Sequence, residues 1–515
     1  MKFSLRERPP GRYGGDLIAV LAGAASVLAF APFHAWLLAI ICPALLVALW
    51  SGGDARLAAW RGFLYGTAEF LTGIYWIYIA VSGLGPAPWW LGVLLYILLS
   101  CACAVFPALT GYLVKRFSPT PGYLWLFPIP ALWVLFEWLR SFILTGFPWL
   151  ALGFSQGAHV LGGYVPVFGV YGVSFACILA AVLLVLALRA SVSLGSRLAT
   201  VAAIAIIFIT GGALGRIAWT RPSGSPFAVA LAQANIPQQE KWTAPAVKIS
   251  LRRYGRLTRS HPDAKLVVWP EAAIPTWYME VAPQLQQFGA EERAHDQSVV
   301  YGVLAYDWKT GNGYNAVAAM GAGVGLKHNI YFKRHLVPFG EYFPVPGWIK
   351  HWLSKHALPH SSFTPGPLNQ PPLEVHGWRI AVANCYEIAF GRLLRRQLPL
   401  ANFIINVSDD GWFGHSIASA QQFEMAQTAA RETGRYVLAS ANSGITGIIG
   451  PDGRVISRLP RYREDALGGE IRSYVGVTPF VYLGNWLIVC LSLGILVAGI
   501  LIRLFIVKRN GFCHR

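Results

Sequence analysis

Charged residues are scarce in this chain of 515 residues: Asp, Glu, Lys and Arg together make up 13% of it, against about a quarter in an ordinary soluble domain. The deficit is concentrated in residues 17–215 and 482–502, which hold nearly all the long apolar runs. The stretch between them has the composition of a globular domain. The pattern excludes a wholly soluble protein and predicts an N-terminal transmembrane bundle (1–216), one large exported domain (217–480) and a C-terminal transmembrane helix with a basic tail (481–515).

A helix needs about 20 apolar residues to cross roughly 30 Å of hydrocarbon. By this rule the chain forms a multi-pass α-helical membrane bundle of about eight transmembrane helices. The apolar runs that predict them are 17–53, long enough for two short spans, and 62–82, 88–114, 123–140, 162–188, 198–215 and 482–502.

Lys and Arg are missing from the short loops on one side of the predicted bundle. The loops "SGLGPAP" and "TGFPWLALGFSQGAH" contain neither residue, whereas the opposite loops and both chain ends are basic. Because basic loops stay in the cytoplasm, both termini are expected to be cytoplasmic and the large domain periplasmic. The net charge of +18 therefore reflects topology, and we predict no nucleic-acid partner.

The exported domain has a single cysteine. Of seven cysteines, Cys385 alone belongs to this domain, since the others lie in predicted spans or in the tail. A structural cysteine in an oxidising compartment would need a disulfide partner, and this one has none. Cys385, in "VANCYEIAF", is therefore either a buried small hydrophobe or a nucleophile. The second interpretation requires a base and an oxyanion donor elsewhere in the domain.

Strands and helices alternate along the exported domain, which predicts α/β layers. Apolar runs such as "LVVW", "WRIAVAN" and "NFIINVS" are typical of buried strands. Residues 243–260 and 416–433 are predicted helices, and "GIIGPDGRVI" is a predicted hairpin. The domain's histidines lack the paired spacing of metal ligands, so no metal or cofactor is predicted.

Polar groups of complementary chemistry follow the predicted strands. Glu271 comes after "LVVWP", Lys333 and Glu341 lie in "YFKRHLVPFGEYFP", and Cys385 follows "IAVAN". Taken singly, Glu271 could cap a helix and Lys333 could be a solvated cation paired with Glu341. Together they supply a base, a cation and a thiol at strand ends, where α/β sheets build their sites.

The segments "WPE", "K…HLVPFGE" and "NCYE" resemble the signatures of the nitrilase superfamily. With the membrane spans and the segments "FEWLRSFILTGFPW", "QANIPQQEKW" and "NVSDDGWFG", the whole chain resembles the apolipoprotein N-acyltransferase family. One departure is visible, because the family more often has Ser-Asn-Asp where this chain has Ser408-Asp409-Asp410.

The resemblance implies a nitrilase-like αββα sandwich mounted on the bundle, in a monomer of the bacterial inner membrane. It implies transfer of the sn-1 acyl chain of a phospholipid, usually phosphatidylethanolamine, to the α-amino group of a diacylglyceryl-cysteine at a lipoprotein N-terminus. By this resemblance Cys385 is the nucleophile that carries a thioester, Glu271 the base and Lys333 the oxyanion-stabilising cation. The supporting residues that it implies are Glu341, Glu387, Tyr386 and Trp242.

Two further features predict contact with lipid. Residues 344–360 place Trp348 and Trp352 at helical spacing, which fits either a packed surface helix or an arm that dips into the membrane interface. Glu137 and Arg140 are three residues apart on a predicted span, so they share a helix face and could pair. We expect them to form a polar, substrate-facing site at the outer membrane surface, with a purely structural pair as the alternative.

Other functional classes fit parts of the sequence. A membrane-tethered nitrilase-type amidase acting on a small amide would use the same three groups but would not need so many spans. A transporter using Glu69 and Glu137 as intramembrane sites would leave the three groups idle.

Overall fold

The computed structural model describes residues 11–82, 89–118, 122–189, 192–325, 329–342 and 363–512. Its N-terminal part consists of helices packed around a shared apolar core. The helices are α1 (Arg12–Ser26), α2 (Leu38–Trp50), α3 (Ala55–Gly73), α4 (Trp76–Ser82), α5 (Trp89–Phe117), α6 (Pro128–Arg140), α7 (Val165–Leu188) and α8 (Leu194–Leu214).

Four helices among the described residues are long and apolar enough to cross a membrane. They are α5, the stretch Val160–Leu188 that includes α7, α8, and the helix that begins at Trp486. The remaining predicted spans are shorter or more polar: α1 and α2 are short apolar helices, α6 has 13 residues, and α3 carries the buried ionisable side chains of Arg61 and Glu69. The structure thus supports a multi-pass bundle, and the count of eight spans stays a prediction.

The rest of the described chain is a two-sheet domain followed by a long helix. Its elements are β1 (Thr220–Gln233), α9 (Gln238–Lys241), α10 (Ala244–Arg259), β2 (Leu266–Val268), β3 (Ile274–Trp277), α11 (Tyr278–Ala294), β4 (Ser298–Asp307), β5 (Asn312–Gly321), β6 (Ile330–Phe332), β7 (Leu373–Val375), β8 (Trp378–Asn384), α12 (Gly391–Leu394), β9 (Phe403–Ser408), α13 (Ala418–Thr433), β10 (Val437–Ala441), β11 (Gly447–Ile449), β12 (Val455–Arg458), β13 (Asp465–Gly476), α14 (Pro479–Leu483) and α15 (Trp486–Phe512).

Two sheets pack face to face in this domain. One has seven strands in the order β13-β1-β2-β4-β5-β6, with β3 beside β4, and the other has six in the order β12-β11-β10-β9-β8-β7. Alternation along each strand explains the layers: Val229 and Leu231 of β1 enter the core between the sheets, whereas Ala230 and Ala232 face α10 and α11. On the outer side of the second sheet lies α13, which completes a four-layer αββα arrangement.

Strand direction brings the ends of the central strands to one edge of the sandwich. Strands β1, β2 and β4 are parallel, and β5 is antiparallel to both β4 and β6. In the second sheet β8, β9 and β10 are parallel. The chain therefore leaves β2, β6, β8 and β9 beside one another, and side chains just after these strands can meet.

Helix α13 joins the two-sheet domain to the bundle through buried polar contacts. The Gln421 Oε1 atom accepts hydrogen bonds from Nε1 of Trp76 at 3.1 Å and from Nε1 of Trp149 at 2.7 Å. Its Nε2 atom donates to the carbonyl of Gly73 at 3.1 Å. These directional contacts fix the orientation of the domain on the bundle, because buried polar groups left without partners are costly.

Candidate active site

A sharp turn after β2 presents Glu271 at the edge of the sheet. Trp269 and Pro270 end the strand, and Ala272 has a φ of 45°, a left-handed conformation that non-glycine residues seldom adopt. Gly302 of β4 lies directly beneath this turn, where an added Cβ would be 2.4 Å from the Ala272 nitrogen and 2.5 Å from the Pro270 oxygen. The glycine is required for this close backbone approach.

Lys333 lies between two carboxylates. Its Nζ atom donates to Oε1 of Glu271 at 3.0 Å and to Oε1 of Glu341 at 3.0 Å, and the lysine side chain is only 1% exposed. Burial alone would raise the pKa of Glu271, but the charge and hydrogen bond of Lys333, together with the Asn315 amide and the charge of Lys241, hold that pKa below its ordinary value. Burial would likewise lower the pKa of Lys333, and the two carboxylates instead raise it well above its usual range. An ionised carboxylate thus lies beside an ionised ammonium.

Asn315 of β5, which the sequence analysis did not identify, links the charged groups to the cysteine turn. Its Nδ2 atom donates to Oε1 of Glu271 at 2.8 Å and to Oε1 of Glu341 at 2.7 Å. Its Oδ1 atom accepts a hydrogen bond from Nδ2 of Asn384 at 2.9 Å. The available signal was an amide within the otherwise apolar run "YNAVAAM", since a buried amide needs hydrogen-bond partners.

Cys385 begins the 3₁₀ turn Cys385–Ala389 that follows β8. Its φ of 57° is a left-handed conformation, a strain that folded proteins keep mainly at functional positions. Nε2 of Gln422 lies 3.9 Å from the Cys385 Sγ atom. Burial and then the carboxylate of Glu271 raise the pKa of the Cys385 thiol well above its ordinary value, although Lys333 opposes them. The resting group is therefore a neutral thiol near an ionised carboxylate.

Glu387 fixes the cysteine turn to the segment after Lys333. One carboxylate oxygen accepts from the backbone N–H of Arg334 at 2.8 Å and of His335 at 3.0 Å. The other accepts from the Asn384 N–H at 2.9 Å and the Tyr331 hydroxyl at 2.8 Å. Burial raises the pKa of Glu387, and Arg334 opposes this effect. These four hydrogen bonds hold the cysteine turn against the segment after Lys333.

Tyr386 joins the site to the bundle, whereas Trp242 lies at its edge. The Tyr386 hydroxyl donates to the Gly146 carbonyl at 2.8 Å, and its ring stacks on Trp149 at 6.0 Å between centroids. Trp242 is 45% exposed. With the Gln238 amide turned so that both its atoms are satisfied, Gln238 accepts from Nε1 of Trp242 at 3.0 Å.

Glu137 and Arg140, expected to face substrate or lipid, do not lie on the lipid-facing surface of the bundle, since their exposed fractions are 7% and 5%, and a substrate-facing role stays a prediction. Within the described residues no ion pair joins them. Arg140 instead donates to the carbonyls of Phe147 and Trp149 at 3.0 and 2.5 Å, and Glu137 accepts from the Leu152 N–H at 2.9 Å. Helical spacing places both side chains on one face of α6. They bind backbone groups of the loop that folds back over this helix instead of binding each other. Trp348 and Trp352 lie outside the described residues.

A second ion pair lies behind Glu271. Nζ of Lys241 donates to Oδ2 of Asp409 at 2.7 Å and to the backbone carbonyl of Glu271 at 3.1 Å. The Asp409 N–H in turn donates to Oε2 of Glu271 at 3.0 Å. The sequence analysis noted Asp409 only as a departure and did not identify Lys241. Among the described residues, no cluster of three or more His, Cys, Asp or Glu side chains could hold a metal ion.

Two family models match the chain. The apolipoprotein N-acyltransferase N-terminal domain matches residues 22–183, and the carbon-nitrogen hydrolase domain matches residues 228–480. The first match falls on the helical bundle and the second on the two-sheet domain.

Curated relatives named apolipoprotein N-acyltransferase match both parts together. The protein of Coxiella burnetii is 38% identical over 468 residues, which cover 90% of this chain and 96% of the relative. That of Methylococcus capsulatus is 37% identical over 483 residues, covering 93% and 94%. That of Nitrosomonas europaea is 37% identical over 497 residues, covering 94% and 96%.

Proposed function

Because this chain belongs to the apolipoprotein N-acyltransferase family, we propose that its buried thiol carries an acyl group from a phospholipid to the N-terminal amine of a lipoprotein. The observation that carries the proposal is the Glu271–Lys333 contact at 3.0 Å beside the neutral thiol of Cys385. A base, a cation and a nucleophile are the groups that acyl transfer requires.

In the first half-reaction Glu271 accepts the thiol proton as Sγ of Cys385 attacks the sn-1 ester carbonyl. An ammonium has three N–H donors, and two of those on Lys333 point to carboxylates, so the third can reach the oxyanion of the tetrahedral intermediate. The C–O bond then breaks, Glu271 returns the proton to the glycerol oxygen, and lysophospholipid leaves. The acyl chain remains as a thioester on Cys385.

The second half-reaction uses the same groups in the reverse sense. The α-amino group of the diacylglyceryl-cysteine attacks the thioester carbonyl, and Glu271 accepts a proton from the attacking nitrogen. The C–S bond breaks, an amide forms, and the proton passes from Glu271 to the Cys385 thiolate. A thiolate is a better leaving group than an alkoxide, so a thioester suits transfer to an amine.

The membrane bundle supports the proposal that both substrates reach the site from lipid. We propose eight spans with both termini in the cytoplasm and the two-sheet domain in the periplasm, in a monomer of the inner membrane. Phosphatidylethanolamine is the proposed acyl donor. The contacts of Tyr386 with Gly146 and Trp149 tie the nucleophile turn to a loop of the bundle, which supports a site close to the membrane surface.

The decisive experiment is mass spectrometry of the purified enzyme after incubation with phospholipid alone. We expect a fatty-acyl adduct on Cys385 together with a burst of lysophospholipid, because the thioester accumulates when no amine is present. Release of lysophospholipid only after an acceptor is added would contradict the covalent intermediate.

Variants of the same experiment separate the roles. Cys385→Ala should form no adduct, and Glu271→Gln should form almost none because the side chain keeps its size but cannot accept the proton. The matched control is Cys490→Ala, an exposed thiol in the C-terminal helix, which should leave the adduct unchanged. An adduct of undiminished yield in Cys385→Ala would overturn the assignment of the nucleophile.

A further inference from the structure

Lys241 and Asp409 form an ion pair that the proposed chemistry does not use. Their side chains are 0% and 2% exposed, and ionised groups buried to this extent are retained only when paired and hydrogen-bonded. Further partners surround Asp409: Nδ2 of Asn442 donates to its Oδ1 atom at 3.3 Å, and Gln238, with its amide turned, donates to Oδ2 at 3.0 Å. The ion pair is therefore buried, and both oxygens of its carboxylate have hydrogen-bond partners.

Both members of the pair hold Glu271, and they do so from opposite ends of the residue. Lys241 binds its backbone carbonyl at 3.1 Å, which fixes the peptide of the strained turn. The Asp409 N–H binds its Oε2 atom at 3.0 Å, which fixes the carboxylate. The other carboxylate oxygen faces Lys333 and Asn315, so the carboxylate is held on both of its oxygens.

We propose that Lys241 and Asp409 act as a positioning pair that fixes the orientation of Glu271. The positive charge of Lys241 and the negative charge of Asp409 balance each other next to its carboxylate. The inference rests on the proposed role of Glu271 as the base. Removing either partner would disturb the charge next to Glu271 and leave the other ion buried and uncompensated. Removing both charges would keep the local charge balanced.

The ionisable groups facing Glu271 come from every element packed around it. They are Lys333 after β6, Glu341 in the loop beyond it, Cys385 after β8, Lys241 at the end of α9 and Asp409 after β9. Lys241 favours the ionised form of Glu271, and its cationic charge contributes to the lowered pKa of that carboxyl. Because the Asp409 carboxylate is paired with Lys241, its negative charge offsets part of the effect of Lys241 on the pKa of Glu271.

A charge series tests the proposal. The single-turnover rate of acyl-enzyme formation from phospholipid is measured against pH, over the range where carboxylates titrate, for the wild type, Lys241→Met, Asp409→Asn and the double variant. In Lys241→Met we expect the acidic midpoint of the rate to move up by roughly one pH unit, since a cation has been lost and an anion remains. In Asp409→Asn it should move down, and in the double variant it should return close to the wild-type value.

The order of the midpoints distinguishes positioning through charge from simple support of the fold. Equal midpoints in all four proteins, with rates lowered in parallel, would overturn the proposal. If Lys241→Met does not fold, the comparison of Asp409→Asn with the double variant still decides it, because equal midpoints in those two would refute the charge balance. Glu271→Gln is measured alongside. Undiminished acylation in that variant would refute the role of Glu271 as the base, which is a separate outcome from refuting the role of Lys241 and Asp409.

Discussion

Replacing Lys333 by methionine should make the stability of the protein depend on pH in a way that the wild type does not show. The ammonium is 1% exposed and contacts Glu271 and Glu341 at 3.0 Å each. Removing one partner of a buried ion pair costs about 3–5 kcal/mol, and here two carboxylates would be left facing each other. We expect the apparent melting temperature at neutral pH to fall by roughly 10 °C.

The sign of the pH dependence follows from the pKa values. In the wild type the folded pKa of Glu271 lies below its ordinary value, so its contribution is present at neutral pH and is lost only as the pH falls through that folded pKa. Without Lys333, burial and repulsion from the neighbouring carboxylate of Glu341 would raise the folded pKa of Glu271 above its unfolded value. Stability would then be greatest below the unfolded pKa of about 4.3 and would decline as the pH rises through the raised folded pKa.

The assay is thermal unfolding in detergent at one scan rate, recorded at several pH values for the wild type and for Lys333→Met. The control is Lys265→Met, because Lys265 pairs with Asp296 at the surface and solvent screening makes such a pair contribute little. The double variant Lys333→Met with Glu341→Gln should show a weaker pH slope than the single variant. A difference between Lys333→Met and wild type that stays constant with pH would refute this reasoning, since it would mean that only packing had been lost.

The other predictions concern the shape of the site and its access to lipid. Gly302→Ala should slow acyl-enzyme formation at least tenfold, because the added Cβ would displace the turn beneath the base, whereas Gly255→Ala, whose nearest neighbours are side-chain atoms at 3.4 Å or more, should leave the rate unchanged. Gln422→Ala should slow the same step several-fold by removing the amide 3.9 Å from the thiol, and an unchanged single-turnover rate would contradict this. Trp348→Ala combined with Trp352→Ala should slow acylation from bilayers while alkylation of the thiol by a small water-soluble maleimide stays the same; equal slowing of both would mean that residues 344–360 only support the fold.

Local sequence patterns were sufficient to predict the layers of the fold. The predicted strands around Val268 and before Cys385 and Asp409, and the predicted helix that ends at Thr433, are confirmed. Apolar runs bounded by Pro, Gly and Asn carry this information locally. The length of the apolar runs also predicted several membrane helices. It could not decide whether the shorter or more polar helices cross the membrane, since the burial of those helices depends on their neighbours.

The sequence by itself also determined which chemical groups were available. Glu271, Lys333 and Cys385 were selected because each lies at a strand end, Glu341 was noted eight residues after Lys333, and the signature segments made the family recognisable. Their individual roles remain predictions that the variants above test. What the sequence supplied was the identity of the candidate groups, because a lone thiol in a domain predicted to be exported, and acids and a cation near predicted strand ends, are visible without coordinates.

Only the tertiary structure decided which groups meet. Asn315 lies within the mainly apolar strand β5. Its side chain nevertheless bridges the carboxylates of Glu271 and Glu341 and accepts a hydrogen bond from Asn384. Lys241 and Asp409 are far apart in sequence and form one buried pair behind Glu271. Glu137 and Arg140, which helical spacing predicted as partners, bind the chain folded back over them instead. A hydrogen-bond partner is chosen by distance in the folded chain, and distances between residues remote in sequence follow from strand order and packing, which local patterns do not encode.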